Sequence, residues 1–171
     1  MPVPIGIDLQ VPEALGTLLS RRKRGNLLKQ VYLAIGDRWG SEYLPKHFTG
    51  EQKKYDYAPR SGEGAGVTGK KFWRSYTGRK KKKYGHTLAL VYTGESRRRA
   101  RAYRVAATRN GAKVTVPAPA LNFRNPHTNI DMVSELRQVT PDEQRNLAAY
   151  GTRLLARTLR SLTGRTQKRI S

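Results

Sequence analysis

An α+β domain, with long helices packed on a small antiparallel sheet and a long basic arm looped out, follows from three features of this sequence. Apolar residues recur at three- and four-residue spacing over Leu27 to Tyr43 and again over Leu147 to Leu162, the mark of two amphipathic helices. Two short alternating runs flank Asn110-Gly111, a dipeptide preferred in tight hairpins because both positions tolerate positive φ. Between the first helix and that hairpin, Lys46 to Gly85 has no period and is dominated by Gly, Pro, Lys and Tyr. With 171 residues, of which 37% are hydrophobic, the chain makes one domain whose compact core leaves some segments outside it.

Taken in order, Pro2 and Pro4 keep the start extended, and Ile5 to Val11 alternates weakly enough to form a short edge strand. Pro12 suits a first helical turn, and Ala14, Leu15, Leu18 and Leu19 stripe the short helix after it. A basic turn, Ser20 to Gly25, leads to a second helix capped by Asn26 and carrying Leu27, Leu28, Val31, Tyr32, Ile35, Trp39 and Tyr43 on one face. Tyr32 and Trp39 keep the period of their aliphatic neighbours, which assigns them to the core. Pro45 ends this helix. The arm, 46–85, comes next. Thr87 to Tyr92 is strand-like, although Thr93-Gly94-Glu95-Ser96 could equally begin a short helix bearing Arg97 to Arg99.

The hairpin strands span Ala102 to Thr108 and Lys113 to Val116, with Tyr103, Val105 and Ala107 on one face and Val114 and Val116 supplying the facing pair. Pro117 and Pro119 stop the second strand, Leu121 to Thr128 is turn-rich, and Asp131 to Val139 adds a short strand or turn. The last helix opens on Thr140-Pro141-Asp142-Glu143, a hydroxyl cap with a capping-box glutamate and acids in the first turn. Leu147, Tyr150, Leu154, Leu155, Leu159 and Leu162 form its buried face. Gly164 closes it, and 165–171 is a basic tail that frays.

Charge is the strongest functional signal. Against 12 Asp+Glu stand 34 Lys+Arg, a formal net charge of +22. Between Glu63 and Asp131 the sole acidic residue is Glu95, so the middle of the chain is one cationic field. Such a field repels itself unless a polyanion screens it. Its densest parts nominate Lys70, Lys71, Arg74, Arg79, Lys80, Lys81, Lys82, Lys83, Arg97, Arg98, Arg99 and Arg101 as contacts to nucleic acid, touching phosphates without reading bases. The arm's aromatics, Tyr55, Tyr57, Phe72, Trp73, Tyr76 and Tyr84, have no period that packs them on their own domain. They are therefore expected to be covered by a neighbouring subunit, with the arm ordered only on assembly.

Enzymatic readings fare less well. Gly64 to Lys70 fits the spacing of a phosphate loop, but Lys71 stands where the magnesium-binding hydroxyl belongs and Pro59 and Ser61 precede it instead of an apolar strand. The segment reads better as a glycine hinge. His47, His86 and His127 are not at metal-ligand spacing and read as polar surface residues; a nuclease would need clustered ligands that the acid-free middle does not offer. With no cysteine there is no disulfide framework and no thiolate. No catalytic residue, metal or cofactor is assigned. The start lacks the pattern of a signal peptide and no run approaches a membrane span, so no membrane partner is expected and assembly is placed in a cytoplasm.

The order of short strand, helices, Leu90-Val-Tyr-Thr-Gly-Glu-Ser-Arg97, basic hairpin, proline-rich turn from Val116 to Leu121 and final helix after Val139-Thr-Pro-Asp-Glu resembles neck and tail-completion components of tailed bacteriophages. These form the group called minor tail protein Z-like, and the similarity runs from about Ile5 to Leu162, with a longer and more basic stretch at Phe48 to Lys83. The resemblance implies a non-enzymatic structural virion protein at the head-tail junction or upper tail. Copies of it would form a ring beside other connector or tail proteins, with a basic surface toward genomic DNA. The alternative is a free cytoplasmic protein that binds DNA or RNA without sequence preference.

Overall fold

A computed structural model of the chain describes residues 3–8, 20–64, 66–122 and 130–167. The first long stripe forms α1 (Arg21–Arg38), and its period continues through one turn of π-helix (Trp39–Tyr43) and a 3-10 turn (Leu44–Phe48). Pro45 sits in the first turn of that last piece, where its missing N–H forfeits no bond, so it bends the chain instead of ending the helix. The remaining helices are α2 (Gly69–Arg74), α3 (Tyr76–Tyr84), α4 (Glu95–Ala100), α5 (Met132–Leu136) and α6 (Pro141–Gln167).

The architecture is α+β, as its periodicities require. Strands β1 (Val3–Asp8), β2 (Arg104–Ala107) and β3 (Gly111–Val116) form one antiparallel sheet in the order β1-β3-β2. β1 is thus an edge strand, which accommodates Pro4. α1 lies between this sheet and α6. Toward the sheet, Gly36 lets the helix ride close, since a Cβ there would meet Val105, Ala112 and Val114. Toward α6, Ile35 abuts Gly151. Covered on both sides, α1 and its extension bury Leu27, Val31, Tyr32, Ile35, Trp39, Tyr43, Leu44 and Phe48 against Val114, Val116, Leu136 and Leu147.

The helix start at Thr140 forms its capping box: Thr140 N–H donates to Glu143 Oε2 at 3.1 Å, and Glu143 N–H to Thr140 Oγ1 at 3.3 Å. The other carboxylate oxygen of Glu143 accepts the Tyr55 hydroxyl at 2.6 Å. That second bond belongs to a larger attachment. Residues 46–85 are not an extended arm; they fold back onto the domain. Tyr55 stacks on His47 with centroids 3.9 Å apart, and His47 Nδ1 lies 2.5 Å from the Tyr57 hydroxyl. Arg60 then enters the interior and forks onto Glu135 of α5, Nη1 reaching Oε1 at 2.6 Å and Nη2 reaching Oε2. The two side chains are 5% and 6% exposed, and the Ala58 N–H adds a third donor to the carboxylate, reaching Oε1 at 3.1 Å. Nearby, Gln138 Nε2 donates to the Asp56 carbonyl at 2.7 Å.

Several local expectations are corrected. Thr87 to Tyr92 is a set of turns, while the competing helix at Glu95 is the one that forms, as α4. The hairpin exists, but no non-glycine residue described has positive φ and Gly111 belongs to β3; Thr108 N–H bonds the Gly111 carbonyl at 2.8 Å, leaving Arg109 and Asn110 at the tip. Asp131 to Val139 contains helix α5, capped by Asp131. α1 begins before Asn26, and α6 passes Gly164 to Gln167, its packed face outweighing one glycine's helical cost of about 1 kcal/mol. His47 is fully buried, and His86 is half-buried. The helix expected around Leu15 and Leu18, the turn after Asn122, His127 and the tail beyond Gln167 lie outside the described residues.

The attachment is testable. Glu135→Gln leaves the Arg60 guanidinium buried without a countercharge and should lower stability by about 3–5 kcal/mol in urea unfolding, whereas Arg60→Met combined with Glu135→Leu should recover much of that loss. Burial pushes the His47 imidazole down to about 3, so the fold holds it neutral. Below pH 6.5 the unfolded chain takes up a proton that the native state refuses, and stability should fall by about 1.4 kcal/mol per pH unit. His86, also shifted down by burial, adds in the same direction. Urea midpoints between pH 7 and 5 should show this slope in the natural chain and a shallower one in His47→Gln.

Candidate nucleic-acid interface

The Arg60 anchor carries the basic segment with it. The Ser61 carbonyl accepts the Thr77 N–H at 3.1 Å, which ties the start of α3 to the loop that Arg60 pins. Ser75 caps α3 by accepting the Gly78 N–H at 3.1 Å and donates its own hydroxyl to the Phe72 carbonyl at 2.5 Å, closing the corner between α2 and α3. At Gly78 any Cβ would run into the Phe72 carbonyl and the Trp73 backbone, so only glycine lets the two helices meet this closely. The result is a helical corner held against the domain.

On α3 the inward positions are Thr77, Lys80 and Tyr84, spaced three and four residues apart. Lys80 is therefore not on the nucleic-acid side. It is 3% exposed, its Nζ donates to the Leu88 carbonyl, and burial, with Arg60 nearby, lowers its pKa to about 8. Arg79, Lys81, Lys82 and Lys83 point outward, as do Lys70, Lys71 and Arg74 on α2. Among the described residues no carboxylate pairs with any of these seven. All seven are exposed on the two short helices of the corner.

α4 is different. Arg97 and Arg101 are exposed with no acidic partner among the described residues, but Arg98 and Arg99 both reach Glu95 on their own helix, Arg99 Nε at 2.5 Å. Exposed pairs of this kind hold weakly, about 0–1 kcal/mol, so both arginines remain available to a stronger anion.

The six expected subunit-contact aromatics separate into two groups. Tyr55 and Tyr57 pack on the chain's own His47, Glu143 and Arg60, which buries Tyr55 and half-buries Tyr57. Phe72 and Tyr84 are half-buried, while Trp73 and Tyr76 stay open at 51% and 39% exposure. Tyr92 joins them at 51%, a residue that sequence reasoning placed in a strand. Its ring lies nearly parallel to that of Tyr76, with centroids 6.4 Å apart, and edge-on to Tyr84 at 4.9 Å. Lys83 Nζ stands 5.3 Å over Tyr84, and Lys81 Nζ 6.0 Å over Phe72.

A second cationic feature lies on α6, where Tyr150, Arg153, Leu154, Ala156, Arg157 and Arg160 line a groove of about 400 Å³. Its arginines recur at helical spacing, a signal legible in sequence but left unused. Around Gly64 to Lys70 no strand precedes the glycines, and a helix of only six residues follows. Among the described residues no group of His, Asp and Glu is arranged to hold a metal ion, and no helix is long and apolar enough to cross a membrane. The chain matches no known protein family, curated protein or solved structure.

Lys80 separates the two roles that its run of four lysines combines. Lys80→Ala should lower stability by about 1–3 kcal/mol, because the Leu88 carbonyl loses its donor, and should leave the salt dependence of nucleic-acid binding unchanged. Thermal unfolding and binding titrations on the same variant distinguish these effects.

Proposed function

We propose that this chain is a non-enzymatic structural protein that holds nucleic acid through its phosphates, acting as one subunit of a ring at the neck or upper tail of a tailed phage. The observation that carries the nucleic-acid part is the unpaired cationic face formed by Lys70, Lys71, Arg74, Arg79, Lys81, Lys82 and Lys83 on a fixed helical corner. Cations set on a folded support lose little freedom on binding, and phosphate contacts release counterions without selecting a sequence. A channel for a whole genome needs that indifference. The order of elements resembling tail-completion proteins supplies the setting, with copies of the chain and neighbouring connector or tail proteins as partners and the virion as the location.

Affinity for a random-sequence duplex should fall steeply with salt, and the triple substitution Lys81, Lys82 and Lys83 to Ala should reduce the log-log slope by up to about 0.9 for each phosphate no longer neutralised. An unchanged slope would move the interface to Arg97 and Arg101 or to the α6 groove. Co-sedimentation with phage particles supports the ring reading; co-sedimentation with bulk nucleic acid alone would favour a free, non-specific binder.

A further inference from the structure

Phosphate contact accounts for the lysines of this surface but not for its rings. Trp73, Tyr76 and Tyr92 are the exposed large hydrophobic side chains among the described residues; Tyr76 lies beside Tyr92, and Trp73 stands three residues before Tyr76, on the other helix of the α2–α3 corner. Half-open aromatic surface is costly to leave in water. These rings are also held in place. Tyr92 packs against both Tyr76 and Tyr84, and His86 lies beside Tyr84 with centroids 6.3 Å apart. Trp73 is set edge-on to Phe72 at 5.1 Å.

A second copy of this chain is a poor occupant. Lys70, Lys71, Arg74, Lys81, Lys82 and Lys83 are exposed on the same two helices that carry Trp73 and Tyr76, and many of the described acids are already engaged: Glu42, Glu51, Glu95 and Asp142 with nearby basic residues of their own segments, Glu135 and Glu143 in the interior. Copies meeting elsewhere on their surfaces keep these cations apart, but one seated on these rings would face the exposed lysines with a chain holding 12 acids against 34 bases. A duplex satisfies the lysines but hides its base faces inside its own stack. An unpaired strand offers both a phosphate backbone and open base faces.

We propose that Trp73, Tyr76 and Tyr92 form a stacking platform for unpaired bases, so that the cationic face takes single-stranded nucleic acid in preference to duplex. This rests on the nucleic-acid reading above and specifies the ligand of the same site. The bases lie on the rings while Lys70, Lys71, Arg74 and Lys83 take the adjoining phosphates, with no discrimination by hydrogen bonding.

The test uses the full chain with an oligothymidine of about 16 nucleotides and a duplex of the same length. Trp39 is fully buried, so quenching of tryptophan emission reports Trp73. Quenching by the single strand and little by the duplex is expected. In fluorescence anisotropy, Tyr92→Ala should weaken the single strand by about 5- to 100-fold and the duplex by less than about twofold, while Tyr92→Phe should keep single-strand affinity. Retained duplex binding shows that each variant is folded. Equal loss for both ligands, or undiminished single-strand binding by Tyr92→Ala and Trp73→Ala alike, overturns the platform and leaves the phosphate reading standing. Failure of both ligands to bind at low salt overturns both. Equal quenching by polyglutamate would assign the rings to an acidic protein segment, and a change in sedimentation on Trp73→Ala would assign them to a second copy; either result overturns the proposal.

Discussion

The buried pair of Arg60 and Glu135 is the constraint on which the arrangement of the basic surface depends. Removing two charges from water costs several kcal/mol for each ion, and the cost is offset here only because both guanidinium branches and the Ala58 N–H converge on one carboxylate. The geometry tolerates little drift. Once Arg60 is fixed, the Ser61 carbonyl is placed to receive Thr77, and the helix bearing Lys80 to Lys83 begins there. A polar contact in the interior thus determines where the outer charges stand.

That ordering explains how a stretch with four consecutive lysines belongs to a folded domain. Helical twist divides the run, turning Lys80 inward with Thr77 and Tyr84 and leaving Lys81, Lys82 and Lys83 outside. The inward lysine is tolerated because its ammonium finds the Leu88 carbonyl and lies 5.5 Å from the Tyr76 ring centroid; the lowered pKa records what desolvation still costs. The outward ones have no such compensation and need none while water or phosphate reaches them. Charge alone did not distinguish them; position on the helix did.

Where side-chain period and local chemistry decide the structure, the sequence was readable. The stripes of α1 and α6 and the reciprocal cap at Thr140 and Glu143 lie where spacing puts them. The segment from Lys46 to Gly85 was not readable in that way, because its attachments join residues far apart in sequence: Tyr55 to Glu143, Arg60 to Glu135, Gln138 to Asp56. Such contacts leave no period. Two local signals were nevertheless present. Thr77, Lys80 and Tyr84 share a helical stripe, and Ser75 stands in capping position before Gly78. Of the candidate surface, the outward lysines of α2 and α3 were legible from charge, whereas the place of Tyr92 beside Tyr76 required the tertiary fold.

The central claim is that the cationic face is a preformed part of the domain and not an arm awaiting a partner. Native-state amide hydrogen exchange on the free chain tests it most directly, through the amides of Thr77, Arg79 and Gly85, which bond to Ser61, Ser75 and Lys81. The account predicts protection well above that of an unstructured peptide, lost at the denaturant concentration where α5 and the first turn of α6 lose theirs. Exchange at the rate of an unstructured peptide, with α1 and α6 still protected, would contradict it.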